Sequence, residues 1–391
     1  MTHVTLTLAL FAGSVVGWTT HVTADEVEAP VAEVAPVVEE QVQPVVQIAL
    51  LLDTSNSMDG LIDQAKSELW SIVNELALAK HEGQTRPRLQ IALYEYGNNS
   101  LNVENGWVRQ VQPLTDNLDQ ISQDLFALST NGGEEYCGRV IGNAVNELTW
   151  STNNDDLKAI FIAGNEPFTQ GQVNWQEACS SAISRGITVN TIFCGPEQAG
   201  IDGGWQHGAL HSDGHFVSIN QDQETIHVDA PQDKEIARLG LALNETYIPF
   251  GAEGQRGWLN QMEADADALE FSDGANLARQ ACKAGAMYSN SRWDLVDACK
   301  DGTVVLSEVE EEDLPENMQS MTEDERTEYV EGMQSRRADL QQQIQTLSVE
   351  RNAYIADERK RLLEERGEES LDSAIVSIIR NLAEQLDYQF E

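Results

Sequence analysis

The sequence predicts an α/β fold: a doubly wound, mostly parallel Rossmann-like sheet followed by a mainly helical C-terminal region. Three observations carry this. Val45–Leu52, VVQIALLL, is apolar without alternation, as a strand buried on both faces requires. Further apolar runs recur downstream, separated by amphipathic segments of helix length. After about Gln223 the strand signals give way to helical ones.

Taken in chain order, residues 1–24 contain no Asp, Glu, Lys or Arg. An apolar stretch from Val4 to Trp18 leads into the small-residue pattern Val22-Thr23-Ala24. This reads as a signal peptide cut before Asp25, with a weakly hydrophobic N-terminal anchor as the alternative, and implies a periplasmic or secreted protein. Residues 25–44 repeat Val, Glu, Pro and Ala without period, a stiff extended linker. The α/β domain is assigned to residues 45–222. Its first helix, about Gly60 to Ala79, lines up Leu61, Ala65, Leu69, Ile72, Val73 and Leu76. Strands follow in RLQIALYEYG and GWVRQVQPL, then helices near Asn117–Leu128 and Gly138–Thr149. The strands LKAIFIAG, ITVNTIFCG and GHFVSIN come next, with helices at Asn174–Ser184 and Trp205–Leu210 between them.

A helical extension is assigned to residues 223–306, and an acidic linker with long C-terminal helices to 307–391. In the helix Thr322–Glu365, Val330, Met333, Leu340, Ile344, Leu347 and Tyr354 fall on heptad positions, and Arg337 and Arg351 interrupt the same seam. Those arginines favour a helix packed on its own domain over a dimeric coiled coil. The last amphipathic helix uses Leu371, Ile375, Ile378, Ile379, Leu382 and Leu386.

The chain of 391 residues carries 65 acidic and 24 basic side chains, a formal charge of −41. Such a surface repels nucleic acid and anionic membrane, and suits divalent cations and basic partners. No later apolar run approaches the roughly 18 residues of a membrane span, so no integral membrane segment is expected once the leader is cleaved. Five cysteines in an exported chain invite disulfides. Cys282 and Cys299 sit in two similar helix-like segments, ARQACKAG and LVDACKDG, and are expected to pair; Cys137 with Cys194 is the weaker second pairing. The alternative is that all are buried and free.

Asp53-Thr54-Ser55-Asn56-Ser57-Met58-Asp59-Gly60 follows the first buried strand and opens a helix. Alternate side chains of such a turn converge on one point with a carboxylate and two hydroxyls, hard oxygen ligands for Mg²⁺ or Ca²⁺. The bland alternative is that Asp53 only caps the helix. With its flanking strand and helix, the D-x-S-x-S-M-x-G run resembles the metal-ion-dependent adhesion site of von Willebrand factor type A domains, and the resemblance covers roughly Val45 to Asn220. It implies that Asp53, Ser55 and Ser57 hold a divalent ion and that a protein partner's carboxylate completes its shell. Two further loops depart from the family pattern. Asn131-Gly132-Gly133-Glu134-Glu135 has a carboxylate where a Thr is usual, which makes Glu134 the first choice of ligand and Glu135 the second. Gly164-Asn165-Glu166 lacks the usual Asp, leaving Asn165 and Glu166 to act through water or hydrogen bonds. The segment from His227 to Gly251 also resembles the region after the domain in exported bacterial proteins of this family.

Other motifs carry less. His207, His211 and His215 have helical spacing, but a strand signal begins between the last two. Glu263, Asp265 and Asp267 lack the Gly and distal Glu of a calcium loop and read as a solvated helix face. Asn98-Asn99-Ser100 and Asn244-Glu245-Thr246 are glycosylation sequons. Catalysis is not expected. A phosphohydrolase using Asp53 needs a second carboxylate two residues on, where this chain has Ser55, and no Gly-rich phosphate loop, G-x-S-x-G elbow or H-E-x-x-H appears. The expected function is cation-dependent protein interaction or adhesion; the alternative is a scaffold subunit of an envelope complex with a structural ion.

Overall fold

β1 (Val45–Asp53) is buried along its length because strands flank it on both sides and helices cover both faces. The computed structural model describes residues 43–76, 79–81, 87–219, 228–363, 371–384 and 388–390. The leader and nearly all of the linker assigned from sequence lie outside the described residues, as does Leu386. From β1 the chain turns through a short 3-10 segment, Asn56–Met58, into α1 (Asp59–Leu76). Of the predicted α1 stripe, Leu61, Ala65 and Val73 are buried, and Trp70 joins them.

The chain continues through β2 (Ala79–His81), β3 (Arg88–Tyr96), β4 (Val108–Thr115), α2 (Leu118–Phe126), α3 (Cys137–Glu147) and β5 (Leu157–Gly164). After these come α4 (Trp175–Ile183), β6 (Thr188–Cys194), α5 (Glu197–Asp202), α6 (Trp205–Leu210) and β7 (Phe216–Ile219). The six-stranded sheet has the order β4-β3-β1-β5-β6-β7, parallel except for the edge strand β4, which runs antiparallel to β3. One face packs on α1 and α2 through Leu50, Leu52, Leu61 and Ile121. The other packs on α3, α4 and α6 through Leu51, Tyr94, Val140 and Trp205. The doubly wound α/β prediction therefore holds, and Asp53 stands at the carboxyl end of the central strand, where ligands of such sheets bind.

The rest is mainly helical: α7 (Asp233–Asn244), α8 (Gly254–Phe271), α9 (Asp273–Ala284), α10 (Leu295–Lys300), α11 (Glu316–Gln319), α12 (Glu323–Leu363) and α13 (Leu371–Glu384), then β8 (Tyr388–Phe390). It is not a separate core. Leu239, Leu277, Trp293 and Ile344 join the apolar cluster on the α1 face of the sheet, and Gln43–Glu391 forms one compact unit. Ile375, Ile378, Ile379 and Leu382 of α13 are buried in the same cluster, and β8 pairs antiparallel with β2, beside the end of α1. Neither short strand is visible in the sequence, because three residues carry no period.

The arginines in the α12 seam are its anchors. Arg337 is 3% exposed; its Nη1 donates to Asp294 at 2.6 Å and to Asp297 at 2.7 Å, its Nη2 donates to the Thr246 carbonyl, and its guanidinium lies over the Tyr247 ring. Arg351 pairs with Asp233 at 2.7 Å. A seam that satisfies buried arginines on α7 and α10 is committed to its own chain.

The disulfide expectations are corrected: all five cysteines are free. Cys282 sits in the cluster on the α1 face, whereas Cys299 is only partly buried, against a separate cluster around Leu295 and Met318. Cys137 and Cys194 belong to clusters on opposite faces of the sheet, so the sheet itself separates them. Both sequon asparagines are held by hydrogen bonds within the chain. Asn98 is buried and donates to the carbonyls of Thr54 and Ser129, and Asn244 donates to Asp265.

Candidate functional site

Three loops meet above β1, and backbone hydrogen bonds fix their relation. Thr54 N–H donates to the Tyr96 carbonyl at 2.9 Å, Asn131 N–H to the Thr54 carbonyl at 2.9 Å, and Asn99 N–H to the Gly132 carbonyl at 2.9 Å. Within the first loop, Asp53 Oδ1 accepts from Ser55 N–H at 2.8 Å, a local turn that short carboxylate and amide side chains favour. Met58 N–H then closes on the Ser55 carbonyl, and the fully buried Met58 side chain anchors the start of α1.

This folding brings Ser55, Ser57 and Asn165 together. Ser55 Oγ lies 3.2 Å from Ser57 Oγ, and Asn165 Nδ2 donates to Ser57 Oγ at 3.1 Å. Of the two acidic side chains on the second loop, Glu135 is the buried one, across Gly97 from Asp53. Glu135 is 7% exposed with its N–H on Gln170 Oε1, while Glu134 is exposed. The reason is local: Glu135 directly precedes Tyr136 and Cys137 at the start of α3, whose first turn packs into the core.

Space around Asp53 is held open for its carboxylate by two glycines. A Cβ at Gly97 would lie 2.7 Å from Asp53 Oδ1 and 2.9 Å from Glu135 Cγ, so the two acidic side chains approach each other across it. A Cβ at Gly164 would lie 3.0 Å from Asp53 Oδ2. Gly97 also has φ +79°, a conformation that disfavours any other residue.

Asp53 is fully buried, and its Oδ2 has no hydrogen-bond partner among the described residues. Burial pushes its carboxyl up to about 7, against the bonds from Ser55 and with the help of the Glu166 charge. Burial likewise raises Glu135 to about 7, reinforced by the charges of Asp53, Glu166 and Glu134. An orphaned buried carboxylate oxygen is costly unless a cation or proton meets it. Two adjacent carboxylates, two hydroxyls and an amide are the donors a hard divalent ion takes, so the residues present fit Mg²⁺ or Ca²⁺. No group of three or more His, Cys, Asp or Glu side chains suited to a metal occurs among the described residues, so this donor set depends on its hydroxyls.

Around the site, Glu95 is buried, accepting from Thr54 Oγ1 at 3.2 Å and pairing with Arg109 at 2.5 Å. Nothing in the sequence marks it, since a lone Glu in a strand signals nothing until its partner across the sheet is known. Asp265, read as part of a solvated face, is instead paired with Arg279 at 2.7 Å and Lys283 at 2.5 Å. His211 bonds Ser180 at 3.0 Å, and His215 Nδ1 is buried without a partner among the described residues.

Residues 47–226 match the family profile described as von Willebrand factor type A domain, and residues 292–377 match one named Enkurin and described as calmodulin-binding. No curated protein matches the chain. Among solved structures it is similar to proximal thread matrix protein 1 from the mussel byssus, at 14% identity and TM-score 0.35 over 46% of this chain and 43% of that one. A further structure of that mussel protein, with a zinc-occupied MIDAS motif, matches with the same figures. It is also similar to the VWA domain of SpRpn10, at 15% identity and TM-score 0.35 over 46% of this chain and 90% of that one. The conserved hypothetical protein BatB from Bacteroides thetaiotaomicron matches at 16% identity and TM-score 0.34, over 44% and 90%. The chain thus spans less than half of the mussel protein.

Proposed function

Residues 47–226 of this chain form a von Willebrand factor type A domain, and on that premise we propose that it binds Mg²⁺ or Ca²⁺ at Asp53, Ser55, Ser57 and Glu135 and uses the ion to engage another protein. The observation that carries this reading is the buried, unpartnered Oδ2 of Asp53, on a carboxylate whose other oxygen, Oδ1, lies toward the Glu135 side chain. When bound, the ion supplies a positive centre for an acidic side chain of the partner. Asp53 and Glu135 neutralise it, Ser55 and Ser57 offer hydroxyl oxygens, and Asn165 orients Ser57. Domains of this family are typically interaction modules without enzymatic activity.

A second reading rests on Glu135. A buried carboxylate in place of a hydroxyl neutralises the ion more fully, which favours a structural ion in a scaffold subunit. Calorimetric titration with Mg²⁺ and Ca²⁺ on the native chain and on Asp53→Ala, followed by partner capture with and without chelator, separates the two. Saturable binding lost in Asp53→Ala supports the ion site. Capture indifferent to chelator rules out the adhesive use of it.

Among the described residues no helix is long and apolar enough to cross a membrane. Export to the periplasm or the medium is proposed from the apolar N-terminal sequence alone. The Enkurin match includes all of α12, where acidic residues outnumber basic ones; calmodulin partners are basic and amphipathic, so that partner is not adopted.

A further inference from the structure

A groove of about 610 Å³ runs beside the ion-site loops, between the edge strand β4, the loop from Ser100 to Asn105 and the outer side of α3. It begins one hydrogen bond from the candidate site, since Asn131 Nδ2 donates to Ser100 Oγ at 2.9 Å. Its α3 wall presents Arg139, Asn143 and Glu147 at intervals of four, hence on one helix face and spread over about 12 Å. That wall grades from cation through amide to anion. Among the described residues the Arg139 guanidinium donates only to the carbonyls of Asn105 and Glu104, Glu147 accepts only from Tyr94 O–H, and neither belongs to an ion pair.

The opposite side is Val108–Gln110 of β4. Among the described residues this strand pairs only with β3, which leaves the outward backbone groups of β4 to another strand. Pro113 lacks an N–H and ends that stretch below. The amide side chains of Gln110 and Asn143 line the groove without a hydrogen bond among the described residues.

We infer that this groove binds an extended peptide segment of a partner protein, added along β4, carrying one acidic and one basic side chain four residues apart. In an extended chain residues i and i+4 share a face about 13 Å apart, matching the Arg139-to-Glu147 span. The acidic side chain meets Arg139 at the end near the ion site, and the basic one meets Glu147. The inference does not rest on ion binding, because no proposed ion ligand lines the groove.

A random decapeptide display library selected on the full chain in EDTA tests it. Enriched peptides should carry Asp or Glu four residues from Lys or Arg. Their synthetic versions should bind about tenfold more weakly to Arg139→Gln and to Glu147→Gln, variants whose melting temperatures report an intact fold. No enrichment, enriched peptides without the charge pair, or affinity unchanged in both variants overturns it. Because chelator is present throughout, failure here leaves the ion site untouched.

Discussion

Arg279 of α9 places Nη1 2.7 Å from Oδ1 of Asp119 on α2, both side chains buried and 160 residues apart in the chain. The same guanidinium pairs with Asp265 of α8 and lies 4.4 Å over the Trp70 ring of α1, so one side chain joins the sheet's helices to the helical extension. Removing one partner from a buried network leaves uncompensated charge, which costs more than the network contributes. Arg279→Met is expected to lower stability by about 3–5 kcal/mol in urea unfolding. The double variant Arg279→Met/Asp119→Asn should cost less than the sum of its singles. Additive costs would show that the pair is not coupled.

Asp265 sets an acid limit on the same joint. Burial alone would raise its carboxyl, but the charges of Arg279 and Lys283 and the hydrogen bonds from Lys283 and Asn244 outweigh that, holding it below the ordinary 3.8. With the folded value depressed, the unfolded chain binds the proton more readily. This contribution is therefore complete above the ordinary carboxylate range and is lost as pH falls below it. Native protein should lose stability steeply under about pH 4, and Asp265→Asn should flatten that limb while lowering stability at neutral pH. Equal slopes in both proteins would contradict the assignment.

How far these features were legible in the sequence follows from the range of the forces involved. The loop from Asp53 to Gly60 and the buried β1 are local patterns, readable within ten residues. Which of Glu134 and Glu135 is buried depends on where Cys137 and Val140 enter the core, a tertiary fact. Cys282 and Cys299 look alike in sequence, but their side chains lie in different apolar clusters, and likeness of segments says nothing about which way each faces. Arg337 is visible in the sequence as a break in the heptad seam, while its partners Asp294 and Asp297 lie some forty residues away and carry no signal of their own.

At the ion site, Gly97→Ala is the sharpest test of geometry. Its Cβ would intrude on both Asp53 Oδ1 and Glu135 Cγ, and φ +79° adds backbone strain of about 1–3 kcal/mol. The variant should fold with reduced stability and bind Mg²⁺ or Ca²⁺ at least tenfold more weakly in calorimetry. Chelator should lower the melting temperature of the native chain and leave that of Asp53→Ala unchanged, since only an ion bound to the native state stabilises it. Native-like affinity in Gly97→Ala would place the ion elsewhere.

The closing helix tests the dependence of the domain on its distant C-terminus. α13 packs on α1, β5 and β7, although about 150 residues separate it from β7. Ile375, Ile378, Ile379 and Leu382 are each at most 6% exposed and belong to the apolar cluster on the α1 face of the sheet. Ile379→Ala should cost about 2–5 kcal/mol through lost burial and the cavity it leaves, while Asn381→Ala on the exposed side should stay within about 0.5 kcal/mol. Hydrogen exchange should then speed up in α1 and β5 of Ile379→Ala before it does in α12, because the exposed apolar surface lies against the first two. Uniform acceleration across α12 would instead mean that α13 acts on the helical extension and not on the sheet.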